Sequence, residues 1–305
     1  MTPLQNTRFG TVAVVGRPNV GKSTLVNAIV GEHLCAVTPK AQTTRHRILG
    51  LRVVGATQIA LVDTPGLHSG QKNVLNRMMN RAAAASLEGV DLALLLIEAG
   101  REQEDDRLAA DRVQQAGVPY ALVINKIDRI KRREVLLPFI EQQMQRLGTP
   151  RAPEFVMPLS ALKKDNLLTL LNEIAARMPE GPFHYGADEM TDRSSRFLAA
   201  EIVREQATLR LREELPYALA VDIESYTESE GRIDIGATIW VARESQKGIV
   251  IGKGGAMLKE IGTAARLELK RLLGEPVHLK LWCRHRSGWA DDEKALRSLG
   301  YESDS

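Results

Sequence analysis

The chain has 305 residues, 44% of them hydrophobic and 26% charged, with a formal net charge of +3. That is the profile of a folded globular protein and excludes a disordered one, and the length suffices for two domains with a core each. No apolar run reaches the ~18 residues of a membrane helix, and the start MTPLQNTRFG lacks a secretion signal's basic end and apolar run, so a cytoplasmic protein is expected.

In chain order, residues 8–178 alternate short β-rich runs with helical patterns, the mark of a doubly wound α/β sheet, mixed but mostly parallel. The expected strands are 11–15, 47–54, 58–63, 91–97, 120–125 and 154–158. Several are almost continuously apolar, as strands covered on both faces must be. Residues 179–192, with the Pro- and Gly-containing stretch PEGPFHYGADEMTD, read as a linker between domains 1–178 and 193–305. Then SRFLAAEIVREQATLRLREEL reads as one long amphipathic helix with Phe197, Ile202, Leu209 and Leu211 near a common stripe. Two alternating strands follow, split by Ser229-Glu230-Gly231. After them come a short helix, GKGG at 252–255, a helix over 256–273 and a strand VHLKLWC. This order makes the second domain α+β.

Charge is uneven along the chain. Residues 1–180 carry 23 Lys/Arg against 17 Asp/Glu, and residues 181–305 carry 18 against 21. Within the acidic half, residues 243–286 hold ten basic residues against four glutamates. That local excess surrounds the GKGG loop, as a nucleic-acid footprint requires. Cys35 and Cys283 sit in neither a CxxC nor a Cys/His cluster and are expected to be reduced thiols.

Near the start, Gly16-Arg17-Pro18-Asn19-Val20-Gly21-Lys22-Ser23 follows a strand and opens a helix, matching GxxxxGK[ST]. Glycines let the backbone turn its N–H groups toward phosphate oxygens, and the helix N-terminus adds its dipole. Lys22 is expected on the β- and γ-phosphates, Ser23 on Mg²⁺, and the binding run is assigned through Thr24. Asp63-Thr64-Pro65-Gly66 ends another strand: Asp63 serves the Mg²⁺ shell and the Gly66 N–H serves the γ-phosphate. Asn125-Lys126-Ile127-Asp128 ends a third, and Ser160-Ala161-Leu162 follows a fourth. The two oxygens of Asp128 match the N1 and N2 donors of guanine, a pair adenine lacks. All four motifs fall at C-terminal strand ends, where such sheets bind ligands.

Late in the chain, GKGG cannot be a second phosphate loop of this kind, because no Lys-Ser/Thr ends it and a helix leads into it. It fits the GxxG loop of a KH domain, which clamps the backbone of about four nucleotides. A helix C-cap is the competing reading. The strands on both sides and the local positive charge favour KH, in the type II order. Gly252, Lys253, Gly254 and Gly255 would grip RNA, with Ile249, Val250 and Ile251 as a platform beneath the bases. Lys259, Arg266, Lys270 and Arg271 would extend the phosphate track. Trp282 and Trp289 are candidates for base stacking, with core packing favoured for Trp282.

The runs GRPNVGKSTLVNAIVG, KAQTTRHRILG, DTPGLH, NKID and SAL resemble the translation-factor-related GTPases, and among them the bacterial Era family, over almost the whole chain. The resemblance implies that Thr44 completes the Mg²⁺ shell, with Thr43 as the alternative, and that Lys22, Thr44 and Gly66 form the catalytic set. It implies that Asn125 ties the base loop to the phosphate loop, Lys126 packs along guanine and the Ala161 N–H meets O6. Leu67 stands where Ras-like GTPases orient water with glutamine, so slow intrinsic turnover is expected. Relatives hold K⁺ with the residue equivalent to Asn19; here Thr38 and Thr43 would complete that site, or Asn19 only stabilises its loop. Switches are expected at 32–45 and 64–72; His46 and His68 read as surface residues of those switches. The resemblance further implies a monomer that binds the 3′ end of 16S ribosomal RNA, acts in small-subunit assembly and associates peripherally with the inner membrane. A protein-docking adaptor with the KH-like domain as a structural module is the alternative; an RNA-modifying enzyme finds no further catalytic constellation.

Overall fold

The computed structural model describes residues 7–40, 42–66, 74–147 and 150–289, apart from the side chains of residues 75, 76 and 133. Leu67, His68 and most of the second switch lie outside the described residues. The chain divides into two compact units: residues 1–35, 44–70 and 79–192 in one, and 36–43, 71–78 and 193–305 in the other.

The first unit is built on β1 (Arg8–Val15), α1 (Lys22–Val30), β2 (Ile48–Val54) and β3 (Thr57–Asp63), followed by α2 (Val74–Ala85) and β4 (Leu92–Glu98). It continues through α3 (Glu104–Ala116), β5 (Tyr120–Asn125), α4 (Leu136–Leu147), β6 (Val156–Pro158) and α5 (Leu167–Arg177). The sheet runs β2-β3-β1-β4-β5-β6. Only β2 is antiparallel to its neighbour, because the tight turn after Val54 leaves no room for a crossover. Strands β3, β4 and β5 are buried along their whole length, which is why their middles, IALV, LALLLI and ALVI, read as apolar runs. All six expected strands form.

Residues 179–192 are tied down, which their Pro/Gly-rich composition did not signal. The Phe9 N–H donates to the Pro179 carbonyl at 3.2 Å, Gly181 N–H to Thr7 at 3.0 Å, and Leu51 N–H to Met190 at 2.8 Å. Gln58, fully buried in β3, donates through Nε2 to the Tyr185 carbonyl at 2.9 Å, while its Oε1 accepts from the His184 N–H. Phe9 stacks on His184 with centroids 3.9 Å apart. Backbone and ring contacts, invisible to a composition argument, hold this segment to the first unit.

The second unit contains α6 (Ser195–Arg210), β7 (Leu219–Ser229), β8 (Arg232–Val241), α7 (Glu244–Ile251), α8 (Ala256–Leu273) and β9 (Val277–His285). The sheet order is β7-β8-β9, with β7–β8 an antiparallel hairpin turned at Glu230-Gly231 and β8–β9 parallel. Alternate residues Ile233, Ile235, Ala237, Ile239 and Val241 of β8 face a core shared with Ile202, Val203, Ile261, Ala265 and Leu269 of the helices.

Helix α6 corrects two expectations. It ends at Arg210, so Leu211 lies beyond it, and Leu209 is exposed. It is also buried well beyond one stripe, including Glu201, Arg204 and Glu205. Charge burial is tolerated because each group is paired. Arg204 Nη2 meets Glu201 Oε2 at 2.5 Å, and Glu205 Oε1 accepts the Val37 N–H at 2.6 Å. Trp282 departs from the core-packing reading: it lies on the outer sheet face, 41% exposed, over Gly236, whereas Trp289 is fully buried.

A nucleotide cradle and a nucleic-acid interface

The loop after β1 curls as the glycine spacing requires. Gly21 has φ 107° and caps α1, and a Cβ there would lie 2.3 Å from Asn125 Nδ2. Asn19 takes φ 60°, a conformation asparagine tolerates better than most residues. Arg17, Pro18 and Val20 complete the loop, with Arg17 and Val20 buried and Thr24 half-buried at the start of α1. The Gly66 backbone lies against Pro18, leaving 2.8 Å to a hypothetical Cβ.

Lys22 is buried and its Nζ donates to the carbonyls of Gly16 and Arg17, both at 3.0 Å. Burial pulls its pKa down to about 8, against the attraction of Asp63. Ser23 Oγ donates to Asp63 Oδ2 at 2.7 Å and sits 2.7 Å from Thr44 Oγ1, which lies 3.4 Å from the same carboxylate oxygen. Asp63 is fully buried, and burial raises its pKa against the opposing effects of Lys22, Ser23, Cys35 and Thr44. Its Oδ1 is buried without a hydrogen-bond partner among the described residues. Two hydroxyls and a carboxylate with an unused oxygen are the hard-oxygen donor set that suits Mg²⁺. Thr64 stays behind this cluster, donating to the Val14 carbonyl at 2.9 Å, and Pro65 is buried.

Strand β5 delivers the base loop. Asn125 Nδ2 donates to the Val20 carbonyl at 3.0 Å, and its Oδ1 accepts from the N–H groups of Lys126 at 2.8 Å and Ala161 at 3.0 Å. The Ala161 N–H, expected on guanine O6, is engaged by Asn125 Oδ1 in this structure. Lys126 Nζ reaches the Asn19 carbonyl at 2.7 Å and Glu98 Oε2 at 2.9 Å. Asp128 is exposed, its Oδ1 accepting from Ser160 Oγ at 2.5 Å. Two contributors escaped the sequence reading. Asn27 of α1 pins the start of the first switch through Leu34 and Cys35, and nothing in its pattern marks it. Glu98 carried a signal: a carboxylate closing an otherwise apolar strand, DLALLLIE, at the ligand end of the sheet.

In the second unit, Thr38 and Thr43 face each other with hydroxyls 2.6 Å apart, and Thr43 also donates to the Lys40 carbonyl. Gly252 joins α7 to α8 at φ 74°, ψ 172°, and a Cβ would lie 2.8 Å from Met257 Cβ. Gly254 and Gly255 also take positive φ. Lys253 is exposed at the tip. At 100° per residue, Lys259, Arg266 and Lys270 fall on one line of α8, all exposed, opposite buried Ile261, Ala265 and Leu269. Arg271 is off that line and pairs with Glu268 at 3.1 Å. Of the proposed base platform, Ile249 is exposed and Ile251 half-buried, whereas Val250 is fully buried in the core.

A doubly wound sheet carrying these loops, followed by an α+β unit with a helix–GKGG–helix joint, defines a P-loop GTPase joined to a KH domain. Residues 11–126 match the family described as 50S ribosome-binding GTPase, and residues 214–290 match the KH domain family. The chain is 55% identical to GTPase Era of Stenotrophomonas maltophilia strain K279a, covering 96% of this chain and 97% of that one. It is 54% identical to GTPase Era of Xanthomonas axonopodis pv. citri, covering 97% of each. Crystal structures of Era with MgGDPNP and nucleotides 1506–1542 of 16S ribosomal RNA, and of an Aquifex aeolicus Era variant with GDP and tetrafluoroaluminate, each superpose with a TM-score of 0.91 at 39% identity, over 97% of this chain and 99% of theirs. The chain belongs to the Era family of GTPases.

Proposed function

We propose that this protein is a guanine-nucleotide switch that hydrolyses GTP slowly, grips the single-stranded 3′ end of 16S ribosomal RNA and serves assembly of the small ribosomal subunit. The observation that carries the nucleotide half is the convergence of Ser23, Thr44 and Asp63 beside buried Lys22, with Asn125 tying the base loop to the phosphate loop. The RNA half rests on the GKGG joint with its cationic line on α8, and on the solved relative's RNA complex.

In this reading the loop N–H groups and Lys22 hold the phosphates, while Ser23, Thr44 and Asp63 hold Mg²⁺, which neutralises charge on the β- and γ-phosphate oxygens. Asp128 selects guanine through its paired acceptors, and Gly66 presents its N–H to the γ-phosphate. Replacing Asp128 with Asn puts an amide donor against the base, where xanthine offers an acceptor. Asp128→Asn should therefore prefer XTP to GTP in a hydrolysis competition; a variant that still preferred GTP would exclude this base site.

Leu67 supplies no group to orient water. The water must be set by another group, by backbone atoms of the switches or by a cation, and K⁺ held through Asn19 is the candidate for the last. It predicts faster GTP turnover in K⁺ than in Na⁺ buffer, and equal rates would remove the cation from the mechanism. Monomeric, cytoplasmic behaviour with peripheral contact at the inner membrane completes the proposal, resting on the family resemblance. No helix among the described residues is long and apolar enough to cross a membrane.

A further inference from the structure

The ligand end of the sheet holds a largely buried ion network centred on Glu98, a residue that none of the sequence motifs includes. Glu98, the last residue of β4, is 5% exposed. One of its oxygens, Oε2, accepts from Arg17 Nη2 at 2.8 Å and from Lys126 Nζ at 2.9 Å. Its Oε1 meets the largely exposed Arg129 at 3.1 Å. Arg17 is also 3.1 Å from buried Asp106, whose Oδ2 caps α3 through the Gln103 N–H. The backbones are joined as well: the Ala99 N–H donates to the Asn125 carbonyl at 2.8 Å, since Glu98 and Asn125 are register partners.

The two cations on Oε2 belong to different nucleotide loops. The Arg17 carbonyl accepts from Lys22 in the phosphate loop, and Lys126 belongs to the base loop while also holding the Asn19 carbonyl of the phosphate loop. Burial pushes the Glu98 carboxyl up, but hydrogen bonds from Lys126 and Arg17 and their charges outweigh it, leaving it below its usual range and ionised at neutral pH. A buried ion cluster is a poor source of net stability, since apolar packing would often serve the fold as well. What a carboxylate supplies and a leucine cannot is a directional tie to two cations at once.

We propose that Glu98 is a positioning residue that locks the phosphate loop and the base loop into one preformed cradle, so that a guanine nucleotide engages both together and leaves slowly. The proposal rests on the reading of Gly16–Ser23 and Asn125–Asp128 as a guanine-nucleotide site. Glu98 is set to act on the retention of the ligand. It touches neither Ser23, Thr44 nor Asp63, so it has no direct part in the chemical step.

The test uses the full chain, a fluorescent GDP analogue to time release, and steady-state GTP hydrolysis. Glu98→Gln keeps the shape but offers a neutral amide to two cations. It should speed GDP release and raise KM for GTP about tenfold, as expected when charge-assisted bonds are lost. The kcat should stay within about twofold of wild type. Glu98→Asp, which keeps the charge on a shorter stem, should release GDP at a rate between wild type and Glu98→Gln. Release from Glu98→Gln within twofold of wild type would overturn the proposal. So would a kcat that falls in step with a lowered unfolding midpoint, the mark of a merely structural role. If wild type itself binds no GDP, it is the nucleotide-site reading that fails, and the two failures are thus told apart.

Discussion

At the scale of single residues, Lys22 makes the sharpest prediction, because burial has already moved its proton affinity into an accessible range. Its pKa falls from 10.5 to about 8 in the ligand-free protein. A depressed folded value means that the fold itself favours neutral Lys22, so this group's effect on stability worsens as pH falls from 10.5 towards 8 and is constant below. Phosphate binding has the opposite preference and needs the ammonium. Affinity for Mg-GDP should therefore be level below about pH 8 and weaken above it by up to about tenfold per unit, until the pKa of the bound state is passed. Calorimetric titration between pH 7 and 9.5 reads this directly, and a flat affinity would show that Lys22 does not exchange its proton on binding. Motif residues such as Lys22, Ser23 and Asn125 were legible because their chemistry fixes both residue type and spacing. Glu98 and Asp106 act through Arg17, some 80 to 90 positions away in sequence, which spacing cannot encode, and Asn27 acts on the nearby backbone of Leu34 and Cys35 without any motif to mark it.

At the scale of elements, apolar periodicity located the six strands of the first unit and the helix over 256–273. It failed where polar groups are buried in pairs. Helix α6 hides Glu201, Arg204 and Glu205, so a stripe of apolar residues was too narrow a guide to its faces. The backbone hydrogen bonds that tie residues 179–192 to the first unit leave no trace in composition. Helix α8 is the favourable case, where one face is buried and the other carries Lys259, Arg266 and Lys270 in line. If these three charges lie against successive phosphates, replacing all three with Ala should weaken single-stranded RNA binding. The slope of log K against log salt should also shrink by about 2, since each single-strand phosphate contact contributes about 0.7. Fluorescence anisotropy across a salt series checks it, and an unchanged slope would remove the α8 face from the interface.

At the scale of the whole molecule, the two glycine loops use the same backbone freedom for different ends. Gly16–Ser23 follows a strand and frames a cluster suited to a nucleotide and its metal; Gly252–Gly255 joins two helices beneath a cationic face. Their presence in one chain is the ground for reading it as a switch in which GTP governs a grip on RNA, and such coupling must be reciprocal between the two ligands. The decisive measurement is the affinity of the full chain for a short RNA of the 16S 3′-terminal sequence, loaded in turn with Mg-GDP and with a non-hydrolysable Mg-GTP analogue. The two affinities should differ by about fivefold or more, the lower end of typical coupling. Equal affinity in the two loaded states, or no RNA binding in either, would contradict the switch reading.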